Sequence, residues 1–100
     1  MAEIIWTEPA LQDLTAIADY IALDNVVAAK QLVQKIFTTV EQLASFPQSG
    51  RLPPELDDLA YRELVISPCR VLYKQSADQV IILFVMRQVR DLRNFLISKQ

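Results

Sequence analysis

Residues 46–58, FPQSGRLPPELDD, split the chain into two regimes and limit what it can fold into more than any other feature. Three of the five prolines and the single glycine stand in this stretch. Proline fixes φ and has no N–H to donate, so neither a helix nor a central strand runs through it. Before the stretch, apolar residues recur every three or four positions; after it, they fall in short runs with a period of two. A helical half is therefore expected to pack on a sheet half.

Residues 2–6 (AEIIW) read as a short strand, stopped by Thr7 and Pro9. Thr7 is placed to cap a helix whose first turn tolerates Pro9. Leu11, Leu14, Ile17, Ala18 and Ile21 then form an apolar stripe, with Gln12, Asp13 and Asp19 on the other side. Asp24 and Asn25 interrupt the pattern and can cap a second helix. Its stripe is Ala29, Leu32, Val33, Ile36, Val40 and Leu43, ending before Phe46-Pro47. Trp6 and Tyr20 fall in these apolar patterns and read as core or core-edge residues.

Past the divide, Tyr61 to Ile66 alternates, with Tyr61, Glu63 and Val65 on one face and Arg62, Leu64 and Ile66 on the other. Ser67-Pro68 breaks the run. A second strand follows over Cys69–Lys74, a turn over Gln75–Asp78 and a third strand over Val80–Met86. The last is apolar on both faces, as a central strand covered from both sides would be. Short connections make these three a meander. From Asp91, the spacing of Leu92, Phe95 and Leu96 predicts a short terminal helix. The expectation is an α+β fold forming one domain over residues 1–100, a size that fits a single core. An N-terminal strand and an antiparallel helical hairpin pack on a small, mainly antiparallel sheet, with a short C-terminal helix. The sheet face away from the hairpin is expected to be only partly covered and to carry some of the arginines.

The formal net charge of −2 hides an asymmetry. Residues 1–50 carry two basic and six acidic side chains; residues 51–100 carry eight basic and six acidic. Six of those eight are arginines: Arg51, Arg62, Arg70, Arg87, Arg90 and Arg93. Guanidinium groups suit carboxylate and phosphate, so a binding surface is expected in the second half. A near-neutral total excludes a domain that grips nucleic acid by charge excess alone. The chain has no histidine, which removes imidazole acid–base chemistry, Ser-His-Asp and Cys-His pairs and most zinc sites. The single cysteine, Cys69, has no intrachain partner and reads as a small buried hydrophobe. Glu55, Asp57 and Asp58 read as a solvated loop, not as a metal site. No metal and no cofactor is expected. The opening MAEIIWTEPA lacks the basic start and long apolar core of a signal peptide, so a cytoplasmic location is expected.

Four blocks in register resemble one family. The pattern I-I-W-T-x-x-A-x-x-D-L-x-x-I-x-x-Y-I-A over Ile4–Ala22 is similar to the start of RelE/ParE superfamily toxins of bacterial type II toxin–antitoxin pairs. FPQSGR after a helical hairpin, YRELVISPCRVLYK over Tyr61–Lys74 and VIILFVMRQVRDL over Val80–Leu92 complete the resemblance. It implies a cytoplasmic toxin neutralised by a cognate antitoxin whose disordered segment wraps it in a hetero-oligomer. ParE-type members of the superfamily poison DNA gyrase without chemistry of their own; RelE-type members cut messenger RNA on the ribosome.

The cutting relatives need a base, an acid and cations on the phosphate. By resemblance, Glu55 would be the base, with Arg70 and Arg87 on the phosphate. Arg87 stands where such relatives carry a histidine, and a guanidinium is a poor proton donor at neutral pH. No tyrosine follows Tyr73 to replace it. The expected function is therefore a ParE-like gyrase inhibitor with no catalytic residue. Its partner contacts are expected at Arg51, Arg62, Arg70, Tyr73, Arg87 and Arg90. A ribosome-dependent ribonuclease and a non-toxic binding module on the same fold are the alternatives.

Overall fold

Thr7 joins the first strand to the first helix and ties both to the last strand. Its hydroxyl donates to the Ile82 carbonyl at 2.6 Å and accepts the Ala10 N–H at 3.3 Å, closing the helix N-terminus. A computed structural model describes residues 1–56 and 60–88 of the chain. Strand β1 (Glu3–Trp6) leads into helix α1 (Glu8–Ala22), followed by helix α2 (Val26–Glu41) and a single 3₁₀ turn over Gln42–Ala44. Strands β2 (Tyr61–Ile66), β3 (Cys69–Ser76) and β4 (Gln79–Arg87) complete the described elements. Asn25 caps α2, its side chain accepting the Ala28 N–H at 3.0 Å. The expected helix from Asp91, with Arg90 and Arg93, lies outside the described residues, as do Asp57 and Asp58.

The described strands form one sheet in the order β1-β4-β3-β2. β1 runs parallel to β4, and the β2–β3 and β3–β4 pairs are antiparallel. β4 is thus central, as its two apolar faces predict. The β3–β4 strands run two residues longer on β3 than expected, and the turn tightens to Ala77-Asp78, with Ala77 at φ 55°.

Both helices cover one sheet face. Ala10, Leu14, Leu32, Ile36, Val40 and Leu43 meet Ile66, Val71, Tyr73, Val80, Ile82 and Val85 in the main core. Trp6 packs on Phe37 with ring centroids 4.7 Å apart. The stripe on α1 packs inward as expected at Leu14, Ile17 and Ile21 and differs in the first turn. Ala10 is fully buried and Leu11 exposed, because the smaller side chain lets the helix start approach the sheet. Asp13, expected on the outer side, turns inward: its Oδ2 accepts the Val85 N–H at 3.2 Å. That bond satisfies a strand amide beyond the end of the shorter β1. Tyr20 is not a core residue; it is 63% exposed.

On the opposite face Leu72 and Met86 form a smaller cluster with Leu56, Tyr61, Leu83 and Phe84. Leu56 reaches it from the proline-rich segment. That segment lies along the outer edge of β2, where Arg51 and Glu63 exchange backbone hydrogen bonds at 2.9 and 2.8 Å.

Cys69 is fully buried at the start of β3, and burial pushes its thiol above the ordinary value, against an opposing pull from Arg87. A raised pKa favours the protonated form in the fold. Its contribution to stability is present below the unfolded thiol's value of about 8.5 and is lost as pH rises through the higher folded one. A water-soluble disulfide reagent at pH 8 is therefore expected to label Cys69 at least ~100-fold more slowly in the native chain than in urea. Comparable rates would show that the β3–β4 end opens readily.

Candidate functional site

Four charged side chains meet on the sheet face away from the helices. Glu63 projects from β2 onto this face, beside Leu72 in register, and Arg70 projects from β3 one diagonal away. Glu63 is 2% exposed, an unusual site for a carboxylate. Its Oε2 accepts the Arg70 Nε–H at 2.7 Å and its Oε1 accepts the Arg51 Nε–H at 2.6 Å. Arg70 continues the chain of charges outward. Its Nη1 donates to Glu55 Oε2 at 2.8 Å and its Nη2 to Glu55 Oε1 at 2.7 Å, a two-point fit of planar groups. These carboxylates hold Arg70 protonated more firmly than usual; the Glu55 bond dominates, against the opposing effect of burial. Among the described residues, no buried side-chain nitrogen or oxygen lacks a hydrogen-bond partner.

A second set of bonds ties residues 47–51 to the same strands. Tyr73 Oη accepts the Gly50 N–H at 2.9 Å and donates to the Pro47 carbonyl at 2.9 Å. Arg62 Nη1 donates to the Gly50 carbonyl at 2.8 Å and the Gln48 carbonyl at 3.3 Å. Burial also pushes the Tyr73 phenol up from its ordinary value.

The expected contact residues therefore occupy different environments. Arg51 keeps an exposed side chain while paired to Glu63. Arg62 is half-buried and clamps the proline-rich segment. Tyr73 is fully buried, which rules it out as a surface contact in this conformation; its hydroxyl is spent inside the fold. Glu55 is not a solvated loop carboxylate, since the Arg70 fork holds it. Glu63 is a member of the cluster that the sequence does not mark as functional. Its one signal there is a carboxylate in the middle of an otherwise strand-like run.

Arg87 stands apart from this group. Its guanidinium lies over the Tyr20 ring of α1, 4.6 Å from the centroid, on the helix side of the sheet. A bulge decides this. Tyr73 pairs with Ile82 but Leu72 pairs with Phe84, so Leu83 is an extra residue in β4. A one-residue shift moves every later side chain to the other face. Beyond Leu83, Met86 faces Arg70 and Arg87 faces Cys69. Without the bulge, Arg87 would share the Arg70 face. The structure thus joins Glu55 to Arg70 and separates both from Arg87. Among the described residues, no three His, Cys, Asp or Glu side chains gather as metal ligands would. No helix among them is long and apolar enough to cross a membrane.

Residues 4–92 match the family model for the ParE toxin of type II toxin-antitoxin system, parDE. The chain belongs to the ParE toxin family. Related sequences agree. It is 38% identical over 81 residues to "Toxin RelE2" of Caulobacter vibrioides, an alignment covering 81% of this chain and 88% of that one. It is 42% identical over 85 residues to "Putative toxin Y4kP" of Sinorhizobium fredii, covering 83% and 84%. A chain of the chromosomal ParDE TA system from P. aeruginosa superposes with a TM-score of 0.71 at 27% identity, covering 87% of this chain and 96% of that one. The ParE fold seen there is the helical hairpin on a mixed sheet described above. Both ParE-type and RelE-type names occur among the relatives, so the target has to be read from the site and not from the family.

Proposed function

We propose that this ParE-family chain is the toxin of a type II pair and acts by binding DNA gyrase, without catalysing a reaction. One observation carries the reading: the groups that would have to cooperate in cutting RNA do not face one site. Glu55 is bound in the Arg70 fork, and Arg87 lies across the sheet against Tyr20. A base already paired to the cation meant for the phosphate has to break that pair before it can take a proton. Proton donation to a leaving 5′-oxygen has no candidate at these positions, since a guanidinium is a poor proton donor. Tight binding needs none of this chemistry. A cognate antitoxin and the gyrase are the partners, met in the cytoplasm.

Arg87 and Tyr20 offer an exposed cation and aromatic ring together, the residue types that dominate binding energy at interfaces. Arg87→Ala removes one exposed cation–π contact, about 0.5–1 kcal/mol, so the fold survives it. In bacteria carrying the inducible gene, thymidine incorporation is expected to fall before methionine incorporation. Arg87→Ala is expected to weaken that effect at least ~10-fold at equal protein level, the scale of one interface anchor. Methionine incorporation falling first would contradict the gyrase reading.

A further inference from the structure

The helical hairpin covers the sheet with one face and leaves the other without a partner among the described residues. On that outer side, α1 and α2 enclose an open groove of about 390 Å³. Ala18 and Ala22 line it from α1 and Val26 and Val33 from α2, and no strand residue reaches it. Its charged lining is one residue of each sign, Asp19 on α1 and Lys30 on α2. Both are exposed, and neither side chain makes an ion pair or hydrogen bond among the described residues. At the hairpin turn, Leu23, Val26 and Val27 are exposed too, Leu23 at 86%.

The hairpin as a whole divides its charges in the same way. Helix α1 carries Glu8, Asp13 and Asp19 and no basic residue. Helix α2 carries Lys30 and Lys35, with one acid, Glu41, at its end. A face that is acidic on one helix and basic on its antiparallel neighbour is complementary to itself. We infer that this outer face is a docking surface for a second copy of the chain, related to the first by a two-fold axis parallel to the helices. That axis lays α1 of each copy on α2 of the other. Asp19 and Lys30 line one groove and so stand level on the two helices, and each Asp19 meets the Lys30 of the other copy. The two hairpin turns come together at one end, covering Leu23, Val26 and Val27.

Charge selects this arrangement. An axis perpendicular to the helices would set α1 on α1 and α2 on α2, acid against acid and base against base. Ala18 and Ala22 leave room for the facing helix. Helices of 15 and 16 residues present a face about 22 Å long and about 20 Å wide. That is small for a permanent interface, so the dimer is a transient one, half dissociated on the order of 100 µM. Tyr20 and Arg87 line a separate cleft beside β4, so the inference does not rest on the gyrase reading.

Sedimentation equilibrium of the full chain in low salt tests the pairing, over concentrations from about 10 µM to about 1 mM around that midpoint. The mass is expected to rise from one chain to two and no further. Asp19→Lys and Lys30→Glu each set like charges against each other twice, and each is expected to weaken the dimer at least ~10-fold. Both positions are exposed, so both variants are expected to keep the native unfolding midpoint. An equimolar mixture of the two variants is expected to dimerise again, because each supplies the charge that the other has reversed. A single-chain mass for the native protein at every concentration would overturn the inference. So would a dimer that neither substitution weakens, growth beyond two chains, or a mixture that stays monomeric where the native chain pairs.

Discussion

Gly50→Ala is expected to destabilise the chain by about 3 kcal/mol or more, combining overpacking of ~1–3 kcal/mol with loss of hydrogen bonds at ~1 kcal/mol each. A Cβ at position 50 would stand 2.5 Å from Tyr73 Oη and 2.7 Å from both Tyr73 Cε1 and the Glu63 carbonyl oxygen. None of these can give way cheaply. Tyr73 is fully buried, and its hydroxyl bonds both Pro47 and Gly50. The Glu63 carbonyl accepts the Arg51 N–H, the bond that pins the proline-rich segment to β2. The only glycine in the chain is thus fixed by close approach of a ring and a strand backbone, not by a special φ. Urea unfolding followed by far-UV circular dichroism measures the effect. Ser49→Ala, at the exposed neighbouring position, is expected to change stability by less than ~0.5 kcal/mol. Equal midpoints for the two variants would show that the segment yields instead of the core.

Glu63→Ala has the second large expected effect, a loss of about 3–5 kcal/mol, as when one partner of a buried ion pair is removed. The substitution strips Arg70 of its inner counter-charge while leaving the guanidinium almost fully buried. It also frees Arg51, so the proline-rich segment loses a side-chain tie and rests more heavily on the hydrophobic contact of Leu56. Glu55→Gln, at the exposed end of the same cluster, is expected to cost no more than ~1 kcal/mol. Chemical unfolding of both variants gives the comparison. Equal costs would mean that burial does not rank the two carboxylates.

The elements were legible in the sequence because each has a local cause. Thr7 and Asn25 are capping residues, the apolar stripe of α2 repeats at helical spacing, and the prolines bar regular structure between the halves. The central place of β4 follows from its two apolar faces, which no edge strand would tolerate. What periodicity does not carry is the identity of partners far away in the chain. Nothing near Glu63 announces that Arg51 returns to pair with β2, or that Arg70 will bridge to Glu55. Tyr73 alternates like a strand residue whether its hydroxyl meets water or Gly50. A loop carboxylate looks solvated until a buried arginine claims it.

Arg87 illustrates the limit most clearly. Simple alternation through the Ala77-Asp78 turn puts it on the same face as Arg70, and the family resemblance joins the two in one cleavage site. The extra residue Leu83 reverses that placement. A bulge inside an unbroken apolar run leaves no mark in composition or spacing, because any of those residues is acceptable on either covered face. The charge asymmetry between the halves pointed to the region where the ion-pair cluster lies. The register within it decided which arginines could act together.

The gyrase reading is tested most directly by adding purified chain to purified gyrase, relaxed plasmid and ATP, with no ribosomes present. The account predicts that supercoiling is inhibited in proportion to added chain. It also predicts that messenger RNA on actively translating ribosomes stays uncut at the same concentrations. Unimpaired supercoiling together with codon-phased cuts in the message would contradict it.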